Sequence, residues 1–175
     1  CLADLPHGFT TEQAPGRYRL VKGDRDRYFD IIPAAHSWKQ FLFPSRSELF
    51  QLKRNGSDWK MQIPETSQPK YAFIGVRGCE QAAIQIQDNI FIRSDFIDPV
   101  YHDRRKNLFI LTVNCMFPSE TCFCSSLNTG PRASKGFDLS LTELDDVFLL
   151  EIGSELGRSV LNGLPVSSAS AFLIQ

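Results

Sequence analysis

No run of apolar residues in this sequence is long enough to cross a bilayer. The longest, such as Leu108 to Val113, fall far short of the roughly 20 residues that a spanning helix needs. A charge surplus is also missing. The formal net charge is −1, which leaves no basic surface to gather nucleic acid or an anionic membrane. Histidine is scarce: His7, His36 and His102 are scattered without ligand spacing and read as surface or packing residues. There is no Ser-His-Asp pattern, no phosphate-binding glycine loop, no internal repeat and no low-complexity segment. The first residues lack the basic-then-apolar pattern of a secretory leader. What remains is an ordinary soluble composition, expected in the cytoplasm, with 175 residues, enough for one compact domain.

The chain opens on Cys1 and stops within the apolar run Ala171 to Ile174. Both ends read as cut, so the expectation is the front part of a longer subunit. Residues 1–175 are expected to form a single domain. Within it, 1–69 reads as a β-rich arm and hairpin portion, and 70–163 as a cysteine-bearing α/β portion.

Turn residues divide the first portion. Pro6, Gly8, Pro15 and Gly16 make 1–16 an irregular arm. Tyr18 to Val21 and Tyr28 to Ile32 read as short strands around Gly23-Asp24-Arg25-Asp26. Ser37 to Phe41 suits one helical turn stopped by Pro44. Glu48 to Lys53 and Trp59 to Ile63 predict a hairpin across Asn55-Gly56. Pro64 to Pro69 reads as a polar connector.

The second portion changes period. Tyr71 to Val76 is an apolar run of buried-strand length. Glu80 to Ile90 predicts a helix with Ala83, Ile86 and Ile90 on one face. Asp98-Pro99 signals a second helix start. Leu108 to Val113 predicts another buried strand, and 114–136 a long loop. Phe137 to Leu141 and Val147 to Ile152 read as strands, then Ser154 caps a short helix to Leu161. The fold class expected is α/β, with mixed α+β as the variant: a small mixed sheet containing a strand-helix-strand crossover. Such a crossover makes its strands parallel. Cys79 and Cys115 then follow two strands at one sheet edge, where α/β proteins place sites.

Five cysteines are present, an odd number. Three of them, Cys115, Cys122 and Cys124, share the long loop, and long loops in compact domains tend to be functional or disordered. Four thiolates are the usual ligand set of an iron–sulfur cluster, and Cys79 supplies the fourth. It precedes a helix whose free N–H groups and positive end favour a thiolate, as does nearby Arg77. Spacing leaves other readings open. Cysteine is often a small buried hydrophobe. Structural zinc also takes four thiolates, though Cys122-Phe123-Cys124 is tighter than its usual pairs. A reactive thiol in sulfur chemistry is a third reading.

Further residues carry blander expectations. Arg104-Arg105-Lys106 reads as a solvated helix end that complements the dipole. Lys39 and Arg46 read as solvated cations, Asp145-Asp146 as a plain turn, and Phe41 and Phe43 as core.

Phe73-Ile74-Gly75-Val76-Arg77-Gly78-Cys79-Glu80, Val113-Asn114-Cys115 and Glu120-Thr121-Cys122-Phe123-Cys124 resemble segments of a known family. It contains the sulfhydrogenase beta subunit and the anaerobic sulfite reductase A subunit. Asp98-Pro99-Val100-Tyr101 with Arg104-Arg105, Thr129-Gly130-Pro131, Asp138-Leu139 with Leu141-Thr142, and Gly153-Ser154 extend the resemblance. So do Ser37-Trp38-Lys39 and Phe41-Leu42-Phe43-Pro44, which brings its span to about Leu5 to Leu161. The resemblance implies an electron-transfer subunit, itself non-catalytic, of a multi-subunit oxidoreductase. It implies a 4Fe-4S cluster on Cys79, Cys115, Cys122 and Cys124. It also implies two kinds of partner: a flavin- and nicotinamide-binding subunit, and a hydrogenase or sulfite reductase catalytic subunit. Two positions depart from the family. Gly78-Cys79-Glu80 stands where Pro-Cys-Asp is common, and Asn128 where glycine is. The alternative class is a structural or interaction domain whose cysteines hold zinc or nothing.

Overall fold

The structure, a computed structural model, describes residues 5–33, 37–63 and 69–170. Cys1, His36, most of the 64–69 connector and the 171–174 run lie outside them. Among the described residues, eight strands and four α-helices follow one another in the order β1 Phe9–Ala14, β2 Arg17–Lys22, α1 Lys39–Leu42, β3 Gln51–Asn55, β4 Asp58–Gln62, β5 Tyr71–Val76, α2 Gly78–Phe91, α3 Pro99–Lys106, β6 Leu108–Val113, β7 Leu139–Glu143, β8 Phe148–Ile152 and α4 Glu155–Leu161. The fold mixes helices with strands, and its N-terminal portion is strand-rich.

The central sheet has the order β5-β6-β7-β8. β5 pairs with β6 in parallel, β6 with β7 in parallel, and β7 with β8 antiparallel. The expected crossover is present: β5 leads through α2 and α3 to its parallel neighbour β6. β6 reads Leu-Phe-Ile-Leu-Thr-Val, and Leu108, Ile110, Thr112 and Val113 are buried. Its β-branched and apolar residues suit a strand in the interior of the sheet. Phe73, Val76, Ile84, Tyr101, Leu108, Ile110 and Leu42 form the core, with Trp38, Tyr71 and Phe91 packed on it. Each such side chain contributes about 1.5–3 kcal/mol by burial.

α3 and α4 start where their caps predicted. Asp98 Oδ1 accepts the Tyr101 N–H at 2.8 Å, with Pro99 in the first turn. Ser154 Oγ accepts the Gly157 N–H at 3.1 Å. The buried side of α2 differs from expectation. Ile86 and Ile90 are exposed, whereas Gln81, Ile84 and Asp88 face inward. Partners explain the inversion. Gln81 Nε2 donates to the Gly136 carbonyl at 2.6 Å. Asp88 accepts the Tyr101 hydroxyl at 2.8 Å and the Arg105 Nε at 3.1 Å. Burial and this carboxylate push the Tyr101 phenol up from its ordinary range. Arg105 is therefore an internal ion-pair partner and not part of a solvated helix end.

The N-terminal arm is also ordered differently. Residues 9–14 form β1, which pairs back with β2 across Pro15-Gly16. Gly16 takes φ +72°, a value that suits the third position of a Pro-Gly turn. Tyr28 to Ile32 joins no strand, and Tyr28 and Phe29 form a bend. The segment's backbone groups are met by side chains instead. The Tyr28 and Phe29 N–H groups donate to Glu143 at 2.7 and 2.8 Å, and the Ile32 N–H to Thr11 Oγ1 at 2.9 Å.

β3 and β4 form the expected hairpin with its tip one residue later, because Asn55 pairs with Asp58. Leu52 pairs with Met61, and Arg54 with Trp59. Alternation puts these on one face, and Leu52, Trp59 and Met61 are all exposed.

Candidate functional site

The first predicted ligand, Cys79, lies in the first turn of α2, just past β5. The end of β5 carries a register shift between Ile74 and Val76, with Gly75 at φ +94°. Cys115 lies two residues past β6. Because β5 and β6 are parallel, both cysteines leave the same end of the sheet. Asn114 anchors the second exit. Its N–H donates to the Leu141 carbonyl at 2.9 Å and its Nδ2 to Thr142 at 2.8 Å. Its Oδ1 accepts the Ala133 N–H at 3.1 Å. One buried side chain thus ties β6, β7 and the returning loop together.

The loop comes back through Cys122 and Cys124. The Cys122 N–H donates to the Ser119 carbonyl at 3.0 Å. Cys124 opens a 3-10 turn, Cys124–Leu127, that ends on Asn128 at φ +53°. Asparagine tolerates this left-handed geometry. The Thr129 N–H then donates to the Cys124 carbonyl at 2.9 Å. Two glycines mark close approach. A Cβ on Gly130 would stand 3.0 Å from the Cys124 sulfur. A Cβ on Gly78 would stand 3.1 Å from the Thr129 carbonyl oxygen and 3.2 Å from the Ala133 nitrogen. Gly78 thus serves close packing of two backbones. The Gly130-Pro131 peptide is cis.

All four cysteines are free thiols: Cys79 and Cys122 exposed, Cys115 and Cys124 half-buried. Cys115 lies within electrostatic reach of the other three, and Cys79 also of Cys124. Burial raises the Cys79 thiol above its ordinary value, then the charges of Glu80, Cys115 and Cys124, while the Glu80 N–H opposes them by donating to its sulfur. Burial likewise raises Cys115, with Cys124 and Cys122 adding to the shift. The Arg77 guanidinium, close by, favours the Cys115 thiolate by its charge. Among the described residues, no group of three or more His, Cys, Asp or Glu side chains is placed to hold a metal ion. The thiols share one end of the sheet without closing around a single centre.

Glu80 does not point its charge at the thiols as a ligand would. Its Oε2 accepts the Arg77 N–H at 2.9 Å, as a helix cap. Burial pushes its carboxyl up, opposed by that bond and by hydrogen bonding from Trp38.

Several residues around the loop escaped sequence reading. The Arg25 guanidinium sits 3.6 Å from the Phe117 ring centroid, and Arg27 lies 5.4 Å from it. Arg25 Nη1 donates to the buried Asp30 at 2.9 Å. Arg27 donates to the Glu143 carbonyl at 2.7 Å and also pairs with Asp145, so the β7–β8 turn is a docking point. Thr121 Oγ1 donates to Gln13 at 2.7 Å. Only the charge and aromatic content of these segments hinted at such contacts. His7 packs on the Tyr28 ring at a tilt, with centroids 4.2 Å apart, and His102 lies beside Asp103.

Comparison with curated proteins finds a relative in Pyrococcus furiosus, sulfhydrogenase 2 subunit beta. The two are 38% identical over 121 residues. The chain is similar to a sulfhydrogenase beta subunit. The match takes in 69% of this chain and 34% of the relative, so the chain spans about a third of that protein's length. No family model matches, and no solved structure does. No helix among the described residues is long and apolar enough to cross a membrane.

Proposed function

We propose that this chain is an iron–sulfur electron-transfer component of a multi-subunit oxidoreductase of the hydrogenase or sulfite reductase type. In this reading Cys79, Cys115, Cys122 and Cys124 hold one 4Fe-4S cluster. The observation that carries it is the gathering of four free thiols at one end of parallel strands, from three separate stretches of chain. The similarity to a sulfhydrogenase beta subunit supports it.

The donor set suits the group. Four thiolates are the usual complement of such a cluster. The thiols stand close enough to interact, Cys79 with Cys115 and Cys124, and Cys115 with Cys124 and Cys122. Gly130 keeps space beside Cys124 that a methyl group would fill. Arg77 and the start of α2 bring positive charge to an anionic group.

When bound, the cluster supplies a one-electron couple. The chain's residues hold and shield it. Asn114 fixes the Cys115 exit, and the Glu80 N–H stabilises the Cys79 thiolate. Arg25 and Arg27 grip Phe117 at the near end of the cysteine loop. Electrons would come from a flavin- and nicotinamide-binding subunit and pass to a hydrogenase or sulfite reductase catalytic subunit, in the cytoplasm. The chain itself makes and breaks no bonds in this scheme. The exposed apolar side chains Leu52, Trp59 and Met61 support work against partner subunits. The single-domain division into 1–69 and 70–163 belongs to the same reading.

The test is anaerobic reconstitution of the 175-residue chain with iron and sulfide. Equal iron and acid-labile sulfide, near four of each per chain for the cluster type proposed, with brown colour, is the expected result. A colourless protein that takes up one zinc per chain would sink the reading.

A further inference from the structure

Arg77 is 3% exposed, and few arginines are buried so far. Its Nη2 donates to the Phe29 and Ile31 carbonyls at 2.7 and 2.6 Å. These bonds fix the plane of the guanidinium from one side. Its Nε–H is buried and has no partner among the described residues. A buried donor without a partner costs about 1–3 kcal/mol, more when charged. The guanidinium lies beside Cys115 and at the head of α2, one residue before Gly78 and two before Cys79. An unmet cationic donor stands at the edge of four thiols.

We propose that Arg77 is the positioning residue that sets the reduction potential of this site, with its unpaired Nε–H donating to sulfur at the Cys115 corner of the bound cluster. The inference rests on the cluster reading. Adding one electron to the cluster makes it one unit more negative. In the protein's work a flavin or iron–sulfur partner supplies that electron; in the test dithionite supplies it. A fixed buried cation and a hydrogen bond to sulfur favour the more negative state, so they raise the potential. Phe29 and Ile31 then have a role at a distance: their carbonyls hold the guanidinium and leave Nε free for sulfur.

The test is a redox titration of the reconstituted chain followed by EPR of the reduced cluster. Arg77→Met removes charge and donor. It is expected to lower the preference for the reduced state at least tenfold, which for a one-electron couple is about 59 mV to the negative. Arg77→Lys keeps the charge but not the fixed planar donor, and its midpoint should fall between the two. Tyr101→Phe loosens α2 at its far end, where the Tyr101 hydroxyl donates to Asp88, without touching Arg77 or the carbonyls that hold it, and its midpoint should stay at the wild-type value. A Tyr101→Phe shift as large as that of Arg77→Met would mean a merely structural role and overturn the inference. So would wild-type midpoints in both Arg77 variants.

Should neither variant fold, the wild-type chain labelled with guanidino-15N arginine decides. Pulsed EPR should show a weakly coupled 15N on the reduced cluster, and its absence overturns the inference. A wild-type chain that assembles no cluster defeats the parent reading instead, so the two failures are told apart.

Discussion

Gly130 and Gly78 both avoid collisions, but with different neighbours, and the difference is testable. A methyl group at 130 meets the Cys124 sulfur at 3.0 Å, which can rotate away, and the Cys124 Cβ at 3.2 Å, which must give by a few tenths of an ångström. Gly130→Ala should therefore displace a ligand first and cost stability second. We expect iron loading to fall by more than half. A methyl group at 78 meets backbone of the 129–133 loop, which cannot rotate. Gly78→Ala should cost about 1–3 kcal/mol, the usual range for overpacking. That corresponds to a Tm drop of about 2–10 °C for a chain of this size, measured by thermal unfolding. The thiols add a pH prediction. Cys79 and Cys115 are raised above the ordinary thiol value, first by burial. Only the thiolate alkylates. In the cluster-free chain their alkylation, followed by mass spectrometry, should be slow at neutral pH and accelerate at higher pH than that of an ordinary thiol. A fast thiol at pH 7 among these two would favour a reactive-cysteine chemistry.

At the scale of elements, the segment after β2 is held by side chains in place of a strand partner. Glu143, 5% exposed, takes the N–H groups of Tyr28 and Phe29. Hydrogen bonds to a charged group are worth about 1.5–3 kcal/mol, so Glu143→Ala should lose about 2–4 kcal/mol in denaturant unfolding. Hydrogen exchange at Tyr28 and Phe29 should lose its protection in the same variant. These contacts link residues over a hundred positions apart, which is why sequence periodicity read 28–32 as a strand. The local signals were sounder. β5 and β6 were legible from their apolar runs, and α3 and α4 from their caps at Asp98 and Ser154. The buried side of α2 was not, because Asp88 and Gln81 are buried by virtue of partners on α3 and the 136 turn. The four cysteines were legible as a set by residue type. Their meeting at one end followed from the parallel crossover, whereas Gly130 and Arg77 as their neighbours needed the structure.

At the scale of the molecule, the chain has an interior at the sheet and a large apolar exterior at the β3–β4 hairpin and on α2. Asp88 marks the boundary of that interior, joining α2 to α3 through Tyr101 and Arg105. Asp88→Ala should cost about 2–3 kcal/mol in chemical unfolding without changing the metal content of the folded fraction. The central claim is that Cys79, Cys115, Cys122 and Cys124 act as one ligand set. The most direct measurement is EPR of the dithionite-reduced, anaerobically reconstituted chain and of its four single Cys→Ser variants. A fast-relaxing signal of a reduced four-iron cluster is predicted in the wild type, lost or converted in every variant. An unchanged signal in any one of the variants, or none in the wild type, would contradict it.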